Sequence, residues 1–234
     1  MIAIAIILAT LASYAIAFVI RIPLAVPLLN ALAGVPFMVA AIKRGDLRLA
    51  VVRMLLWALT MGVCATLLSY VRPEETDALF LRAGAYRIEM FQWVMTGQGA
   101  ESSPATFIPL HLQDAALFSV LALVTGGVLA MPMGAMLMNY MGHYVGTLAG
   151  AGRHPVLTMI LGWHPWAVIR VVSFVVIGVV LSAPVWSRLA RSRVDWTVGG
   201  RLLALAGGGL LLDILLKSLL APVWQRLLLR TVGW

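Results

Sequence analysis

The sequence predicts an all-α, polytopic membrane protein: a transmembrane helical bundle of six or seven spans with one outward loop. Apolar residues make up 62% of the 234 residues, and charged residues only 11%. Several apolar runs reach the length of about 20 residues that a helix needs to cross the hydrocarbon core. Because backbone polar groups must be satisfied within lipid, these runs are predicted as helices, and ionisable groups inside them need a specific role.

Composition also limits the organisation of the chain. The longest polar stretch, about 40 residues, is shorter than an ordinary soluble domain, so residues 1–234 are predicted to form a single membrane domain. The net charge of +8 comes mainly from Lys and Arg in short loops. In a membrane protein such loops set the orientation and meet anionic lipid, so no nucleic-acid partner is predicted. The single Cys64 excludes a disulfide framework.

The chain is predicted to begin with a helical hairpin, residues 1–42, whose two spans are separated by Arg21, Ile22 and Pro23. Residues 43–53 then contain four basic residues, which predicts that this connection lies in the cytoplasm. Residues 49–71 form the third span. The loop that follows, 72–112, holds five of the nine acidic residues and is predicted to face outward.

Within the outward loop, aromatic, apolar and basic residues interleave from Ala78 to Met95. This mixture is typical of a helix that lies along the outer membrane surface or, equally, of a helix that caps the bundle. Residues 97–109 are predicted as an irregular linker because they contain Gly97, Gly99 and Pro104.

The later spans are predicted from apolar runs and proline positions. Pro132 divides a run that is too long for one span. The short apolar piece within 153–165 cannot cross the bilayer as a helix, so it is re-entrant, interfacial or the start of a bent span that is broken at Pro165, and the bent span costs least. The last span ends at Pro222, and an interfacial tail follows. The predicted ranges are 113–131, about 134–152, 166–186 and 200–222, with a second basic, cytoplasmic cluster at 187–201 and the tail at 223–234.

Gly142, Gly146 and Gly150 stand four residues apart in the predicted span at 134–152. This spacing places three residues without side chains on one helix face. Another helix backbone can then approach closely, as in the helix pairs of membrane proteins. The three glycines are therefore predicted to form a helix-packing face.

Four charged residues are predicted at membrane depth: Asp114, Arg170, Asp213 and Lys217. Asp213 and Lys217 stand four apart on the last span, the spacing at which opposite charges meet on a helix face. A structural ion pair is the first interpretation of these two residues, and a proton or ion relay is the alternative.

Two histidines are candidate ligands. His111 and His143 lie on successive segments and would ligate a haem b if the helices crossed suitably, as imidazole pairs do in membrane cytochromes. The competing interpretation is a solvated interfacial histidine and a packed one, with no cofactor and no metal. No nucleophile with an adjacent base and no phosphate-binding glycine loop occurs in the sequence, so a non-enzymatic protein is predicted.

The order of these features over about residues 50–222 resembles the stage II sporulation protein M family of integral membrane proteins. The matching pieces are Asp114-Ala115-Ala116, Gly126-Gly127, Asn139-Tyr140-Met141-Gly142, Trp163-His164-Pro165 and Leu211 to Pro222. The chain departs from the family at Gln113-Asp114, where relatives have paired asparagines. It departs again at Pro165 and Val168, where relatives show a glycine and a later glutamate.

The resemblance implies a non-enzymatic integral membrane subunit that scaffolds or recruits partners in a cell-envelope or transport complex. Its expected place is the plasma membrane of a bacterium, and its expected partners are the lipid bilayer and other membrane or envelope proteins. Two functions of other classes compete with this one. They are a redox subunit that binds haem b, and a transporter of small molecules or ions that uses the four buried charges.

Overall fold

The computed structural model describes residues 1–233 and confirms the all-α bundle. Over these residues the chain forms ten α-helices and one 3₁₀ turn, and the described part contains no strand. The helices are α1 (Ile2–Ile20), α2 (Ala25–Ile42), α3 (Leu47–Val71), α4 (Pro73–Leu79), α5 (Ala83–Thr96), α6 (Pro104–Thr125), α7 (Ala130–Ala151), α8 (Pro155–Gly162), α9 (Pro165–Ala190) and α10 (Trp196–Val232). The 3₁₀ turn, Ala100–Ser102, lies between α5 and α6.

Six of these helices are long and apolar enough to cross a membrane: α1, α2, α3, α6, α9 and α10. The protein is therefore a multi-pass membrane protein. The seventh long helix, α7, has 22 residues and lies among them, with one flank against α3 and others against α2 and α5. It carries the polar residues Asn139, Tyr140 and His143.

The contact between α3 and α7 is close because glycines of α7 lie against α3 there. A Cβ atom at Gly142 would lie 2.5 Å from the Cβ of Ala65, and one at Gly146 would meet the carbonyl oxygen of Thr66. Gly150 differs, since its Cβ would lie at an ordinary 3.9 Å from the ring of Tyr70. Two of the three predicted glycines thus permit the close approach, and the third lies where the helices separate.

One end of the bundle gathers the basic loops. The hydroxyl of Ser192 donates to the carbonyl of Ile42 at 3.3 Å, which joins the α9–α10 loop to the α2–α3 loop. The indole N–H of Trp186 donates to Gly126 at 2.7 Å, so the α6–α7 turn lies at the same end. The ammonium of Lys43 lies 5.8 Å from the ring of Trp186. The two basic clusters therefore lie on one side of the membrane.

At the opposite end, α4, α5, α8 and the last turns of α10 form a layer over the bundle. Met90, Trp93 and Val94 of α5 are buried, so this helix caps the bundle instead of lying free on the surface. Gln225 of α10 donates to the carbonyl of Val94. Because α10 has 37 residues, a length of about 55 Å, it extends from the basic end into this outer layer.

A network of neutral side chains joins the N-terminal hairpin to α3 and α7. Asn139 donates to Asn30 at 2.9 Å, and Asn30 donates to the hydroxyl of Ser13 at 2.8 Å. The hydroxyl of Tyr14 donates to Asn139 at 2.6 Å, and the indole of Trp57 donates to the Asn30 carbonyl. All these groups are buried, paired and uncharged, so this network joins the hairpin to the bundle through neutral hydrogen bonds.

Two predicted helix ends are wrong. The break between the fourth and fifth long helices falls at Gly126 and Gly127, whose φ values of 61° and 85° suit glycine, and not at Pro132. Pro132 instead lies in the first turn of α7, where its missing N–H costs nothing. The helix predicted to end at Pro222 continues to Val232, so residues 223–232 belong to α10 and form no separate tail. Trp234 lies outside the described residues.

Two other boundaries also differ from the prediction. The linker expected up to residue 109 is shorter, because α6 begins at Pro104, a favourable first helical position. The segment around His164 is a break between two helices and not a bend within one span, since α8 ends at Gly162 and α9 begins at Pro165. Both changes bring polar residues to the outer ends of α6 and α9, where the candidate site lies.

Candidate functional site

A cavity of about 340 Å³ lies between α5, α6, α7 and α9, beneath the outer layer. This volume is at the lower end of the range of about 300–1,000 Å³ that is typical of small-molecule sites. Charged and polar side chains line one part of it: Arg82, Tyr86, Glu89, Glu101, His111, Asp114, Tyr140, His164, Arg170 and Lys217. Apolar side chains line the remainder, among them Trp57, Phe118, Met131, Leu137, Val171 and Phe174.

The first buried ion pair beside the cavity joins the 3₁₀ turn to α10. The ammonium of Lys217 lies 2.7 Å from a carboxylate oxygen of Glu101, and both side chains are buried. Gly99, with a φ of 135° that only glycine adopts readily, turns the chain so that Glu101 points back into the bundle. Lys217 also lies 4.3 Å from the ring of Phe107, a cation–π distance.

The second buried ion pair joins α9 to α10. The guanidinium of Arg170 lies 3.2 Å from the carboxylate of Asp213, whose side chain is 1% exposed. Arg170 also donates to Nε2 of His111 at 2.8 Å. Since a guanidinium can only donate, that ring nitrogen accepts, and Nδ1 carries the proton, 3.5 Å from the Asp213 carboxylate. Asp213, Arg170 and His111 therefore connect α6, α9 and α10.

The predicted pair between Asp213 and Lys217 is wrong. Among the described residues, each of these two charges has its ion-pair partner on another segment, Arg170 for Asp213 and Glu101 for Lys217. An intrahelical pair would leave Arg170 and Glu101 without counter-charges in a buried region, which is costly. The observed arrangement neutralises all four charges and ties two segments, the 3₁₀ turn and α9, to α10.

The acid of the first pair lies outside the membrane-spanning helices, on the 3₁₀ turn. Burial alone would raise the pKa of Glu101, but the nearby ammonium of Lys217 and guanidinium of Arg170 outweigh it and hold the pKa below its ordinary value. Glu101 is therefore an ionised carboxylate at neutral pH. The pair is a true ion pair and not a neutral hydrogen bond.

His164 contributes a polar atom without a partner. It precedes α9, is 1% exposed, and its ring stacks on Trp166 at 4.8 Å. Burial lowers the pKa of His164 to about 3, so the imidazole is neutral at physiological pH. Its Nε2 is buried and has no hydrogen-bond partner in the described part of the chain. A buried polar atom that lines a cavity without a partner is a candidate ligand contact.

The two predicted haem ligands lie in different surroundings. His143 contacts Asp77 through Nε2 at 3.0 Å, and Thr76 through Nδ1 at 3.1 Å, so it joins α7 to α4. His111 has Arg170 and Asp213 beside its two nitrogens. No group of three or more His, Cys, Asp or Glu side chains within residues 1–233 is arranged to hold a metal ion. Haem binding stays a prediction, which an absorption spectrum of the purified protein tests.

The structure brings Asp114, Arg170, Lys217 and His111 together in the lining of one cavity. Asp213 does not line it but is held there by Arg170 and His111, whereas His143 and the three glycines lie elsewhere. Sequence reasoning did not single out Glu101 as a site residue. A buried lysine needs a counter-charge, and Glu101 follows the turn-forming Gly97 and Gly99, but the contact joins positions 116 residues apart. No local pattern reveals such a pairing.

Comparisons with protein-family models, with curated proteins and with solved structures found no match to this chain. The resemblance to the stage II sporulation protein M family is therefore still a prediction from the order and spacing of motifs. The cavity and the charges beside it are the features of the molecule that bear on function.

Proposed function

We propose that the protein is the substrate-binding membrane subunit of a cell-envelope transport complex, and that it binds a small molecule in the cavity between α5, α6, α7 and α9. The observation that carries the proposal is the placement of two buried ion pairs and the unpartnered Nε2 of His164 around one cavity. The role is one of binding and translocation, and no catalytic residue is assigned.

Stability alone is a weak reason for such an arrangement. Burying a charge in protein or lipid costs several kcal/mol, and replacing a buried ion pair by apolar residues of similar volume is often neutral or stabilising. In membrane proteins, ionisable groups at depth usually mark a path or site for a polar solute. Charges that are paired yet line a cavity fit that use, since an entering ligand can share their hydrogen bonds.

Blocking the cavity tests the proposal. Ala85 is exposed and lines the cavity, so Ala85→Trp should fill its opening without disturbing the core. Ala116 is an exposed residue of α6 that does not line the cavity, and Ala116→Trp is the matched control. Native mass spectrometry after purification in mild detergent should detect a bound small molecule on the wild type and on Ala116→Trp, and none on Ala85→Trp.

Identical bound masses on all three proteins, or none on any of them, would contradict a ligand site in this cavity. Transport is checked next in proteoliposomes with the molecule that mass spectrometry identifies. Ala85→Trp should abolish its flux, whereas Ala116→Trp should leave the flux unchanged.

A recruiting subunit, as the family resemblance implies, is the second candidate function. The outer layer favours it, because α4 and the residue before it present the exposed side chains of Arg72, Glu74, Glu75 and Asp77 on the side opposite to the basic loops. Such a charged surface fits an envelope protein as partner. Co-purification in mild detergent from wild type and from a Glu74→Lys, Glu75→Lys variant tests it: a partner that binds α4 is lost from the variant only.

The proposed location is the plasma membrane of a bacterium. The positive-inside rule supports an orientation with residues 43–53 and 187–201 in the cytoplasm and the α4–α5 layer outside. The test uses single cysteines in a Cys64→Ala background and an impermeant maleimide applied to whole cells. Glu75→Cys should be labelled and Arg48→Cys should be protected. Labelling of Arg48→Cys alone, or of both positions, would contradict this orientation.

A further inference from the structure

The cavity is amphipathic along the direction of the helices. His111 lies seven residues from the outer end of α6 and Arg170 five residues from the outer end of α9, depths of about 10 and 8 Å. Phe118 lies 14 residues from the same end of α6, a depth of about 21 Å. Asp114 lies ten residues from that end of α6, a depth of about 15 Å. The charged lining is thus nearer to this end of the helices than the apolar lining around Phe118.

Three charged side chains of the lining, unlike those in the ion pairs, have no partner at contact distance in the described part of the chain. They are Arg82, which precedes α5, Glu89 of α5 and Asp114 of α6, whose side chains make no hydrogen bond or ion pair with the described residues. They leave one cation and two carboxylates free to bind a ligand. A ligand that carries both a phosphate and an ammonium group complements this set.

Aromatic rings lie between these free charges. Tyr86 and Tyr140, which both line the cavity, have ring centroids 4.4 Å apart. The faces of such rings attract an alkylammonium group, and the effect is larger where water is excluded. Arg82, at the opening, suits a phosphate, because a guanidinium binds phosphate oxygens through two parallel hydrogen bonds. The polar end therefore fits a zwitterionic headgroup.

The opening of the cavity lies between two helices that hardly touch. α5 packs on α7 and on α10, and α6 packs on α9, whereas α5 and α6 make almost no direct contact. Ala85 of α5 and Leu110 of α6 line the cavity and are exposed. A hydrocarbon chain can thus reach the deeper apolar lining around Phe118 and Phe174 from the surrounding bilayer while the headgroup stays at the charged end.

We propose that the ligand is a zwitterionic lipid of the outer leaflet, with its phosphate on Arg82, its ammonium on Asp114 and Glu89, and a hydrocarbon chain along Phe118 and Phe174. This proposal rests on the proposed function, because it names the chemical class of the molecule that the cavity binds. It commits to a lipid and not to a free headgroup, since most of the lining is apolar and its part around Phe118 and Phe174 lies deeper than the charged part.

Binding of three probes to the detergent-solubilised full chain tests this. The probes are phosphatidylethanolamine, phosphatidylglycerol with the same chains, and glycerophosphoethanolamine without chains, each titrated by native mass spectrometry. We expect phosphatidylethanolamine to bind about tenfold more tightly than phosphatidylglycerol, the difference that one charge-assisted hydrogen bond supplies. Glycerophosphoethanolamine should not bind at the same concentrations, because it lacks the chain.

Two variants separate the two headgroup contacts. Asp114→Asn should weaken the binding of phosphatidylethanolamine about tenfold and leave the binding of phosphatidylglycerol unchanged, since only the former carries the ammonium. Arg82→Gln should weaken the binding of both lipids, because both carry the phosphate. Glu74→Gln, an exposed carboxylate of α4 away from the cavity, is the matched control and should bind both lipids like the wild type. Thermal unfolding of each variant checks that it is folded.

Ala85→Trp distinguishes the failure of this inference from the failure of the proposed function. If Ala85→Trp binds every probe as the wild type does, the cavity is not the site and both proposals fail. If it loses binding but the wild type holds phosphatidylglycerol as tightly as phosphatidylethanolamine, or holds glycerophosphoethanolamine equally well, the cavity binds a ligand that is not a zwitterionic lipid. A preference for phosphatidylethanolamine over phosphatidylglycerol that is lost in Asp114→Asn and kept in Glu74→Gln supports a zwitterionic lipid as the ligand.

Discussion

The bundle contains two buried polar regions that differ in charge and in how completely their polar atoms are paired. In the network of Asn30, Asn139, Tyr14 and Ser13, every group is neutral and has a partner, and the helices around it are in close contact. In the charged site, ion pairs lie beside a cavity, and polar atoms such as Nε2 of His164 stay without a partner. Full pairing fixes a fold, whereas unused hydrogen-bonding capacity beside empty space is what a ligand needs.

The two regions should also differ in how much stability is lost when one interacting group is removed. Removing a neutral hydrogen bond in a membrane protein costs about 0.6 kcal/mol on average. Removing one member of a buried ion pair costs about 3–5 kcal/mol, because a charge remains without its counter-charge. Mutations in the charged site should therefore have the larger effects and should be rescued by removing the second charge. Mutations in the neutral network should be milder and should not affect ligand binding.

Lys217→Met should cause the largest loss, about 3–5 kcal/mol, because it leaves the buried carboxylate of Glu101 unpaired. The double variant Glu101→Gln, Lys217→Met removes both charges and should recover most of this loss. Thermal unfolding in detergent measures both. Arg226→Gln, at an exposed position of the same helix, is the control. A double variant as unstable as Lys217→Met would mean that the pair itself, and not the stranded charge, supplies the stability.

Gly146→Leu should cost about 1–3 kcal/mol, because the new side chain would meet the Thr66 carbonyl and the Ser69 Cβ in the close contact of α3 and α7. Gly150→Leu is the matched control on the same helix face, and its smaller cost follows from the open space beside Tyr70. The unfolding temperatures of the two variants are compared under identical conditions. Equal losses would show that the glycine spacing, and not the local approach of α3, determines the effect.

The pH dependence of stability tests the environment of His164. The folded protein keeps this ring neutral down to a pKa of about 3, whereas an unfolded chain takes up the proton near pH 6.5. The unfolded state therefore binds more protons below pH 6.5, and stability falls as the pH drops from there toward 3. The expected loss is at most about 1.4 kcal/mol per pH unit.

The measurement compares unfolding temperatures at pH 7.5 and pH 5 for the wild type and for His164→Phe, which preserves the stacking on Trp166. His164→Phe should lose less stability on acidification than the wild type does. His154→Gln, which replaces an exposed histidine in the adjacent loop, is the control and should follow the wild type. If His164→Phe and the wild type respond identically to acid, the ring of His164 is open to water in the folded protein.

The sequence predicts the helices well because each span has to be apolar for about 20 residues, a local property of the chain. It also indicates Gly142 and Gly146 as contact positions, since helical spacing is local too. The pairing of charges is different. Asp213 and Lys217 fit a local rule, but their partners Arg170 and Glu101 are set by how distant segments pack. The boundary at Gly126 and not Pro132 has a similar cause, because proline is tolerated in the first turn of a helix.

Asn139→Leu should have a small effect, about 1–2 kcal/mol, because it removes two neutral hydrogen bonds. It leaves the Asn30 amide oxygen without this donor, and the Tyr14 hydroxyl keeps only its longer hydrogen bond, 3.4 Å, to the Met61 carbonyl. Leucine is close to asparagine in volume, so little of the change comes from packing. The unfolding temperature should fall modestly, and the ligand affinity of the cavity should not change, since Asn139 does not line it. Ser13→Ala removes only one acceptor from the same network and should cost less. A loss in Asn139→Leu as large as that in Lys217→Met, or a change in ligand binding, would show that the two polar regions are coupled and that the contrast between them does not hold.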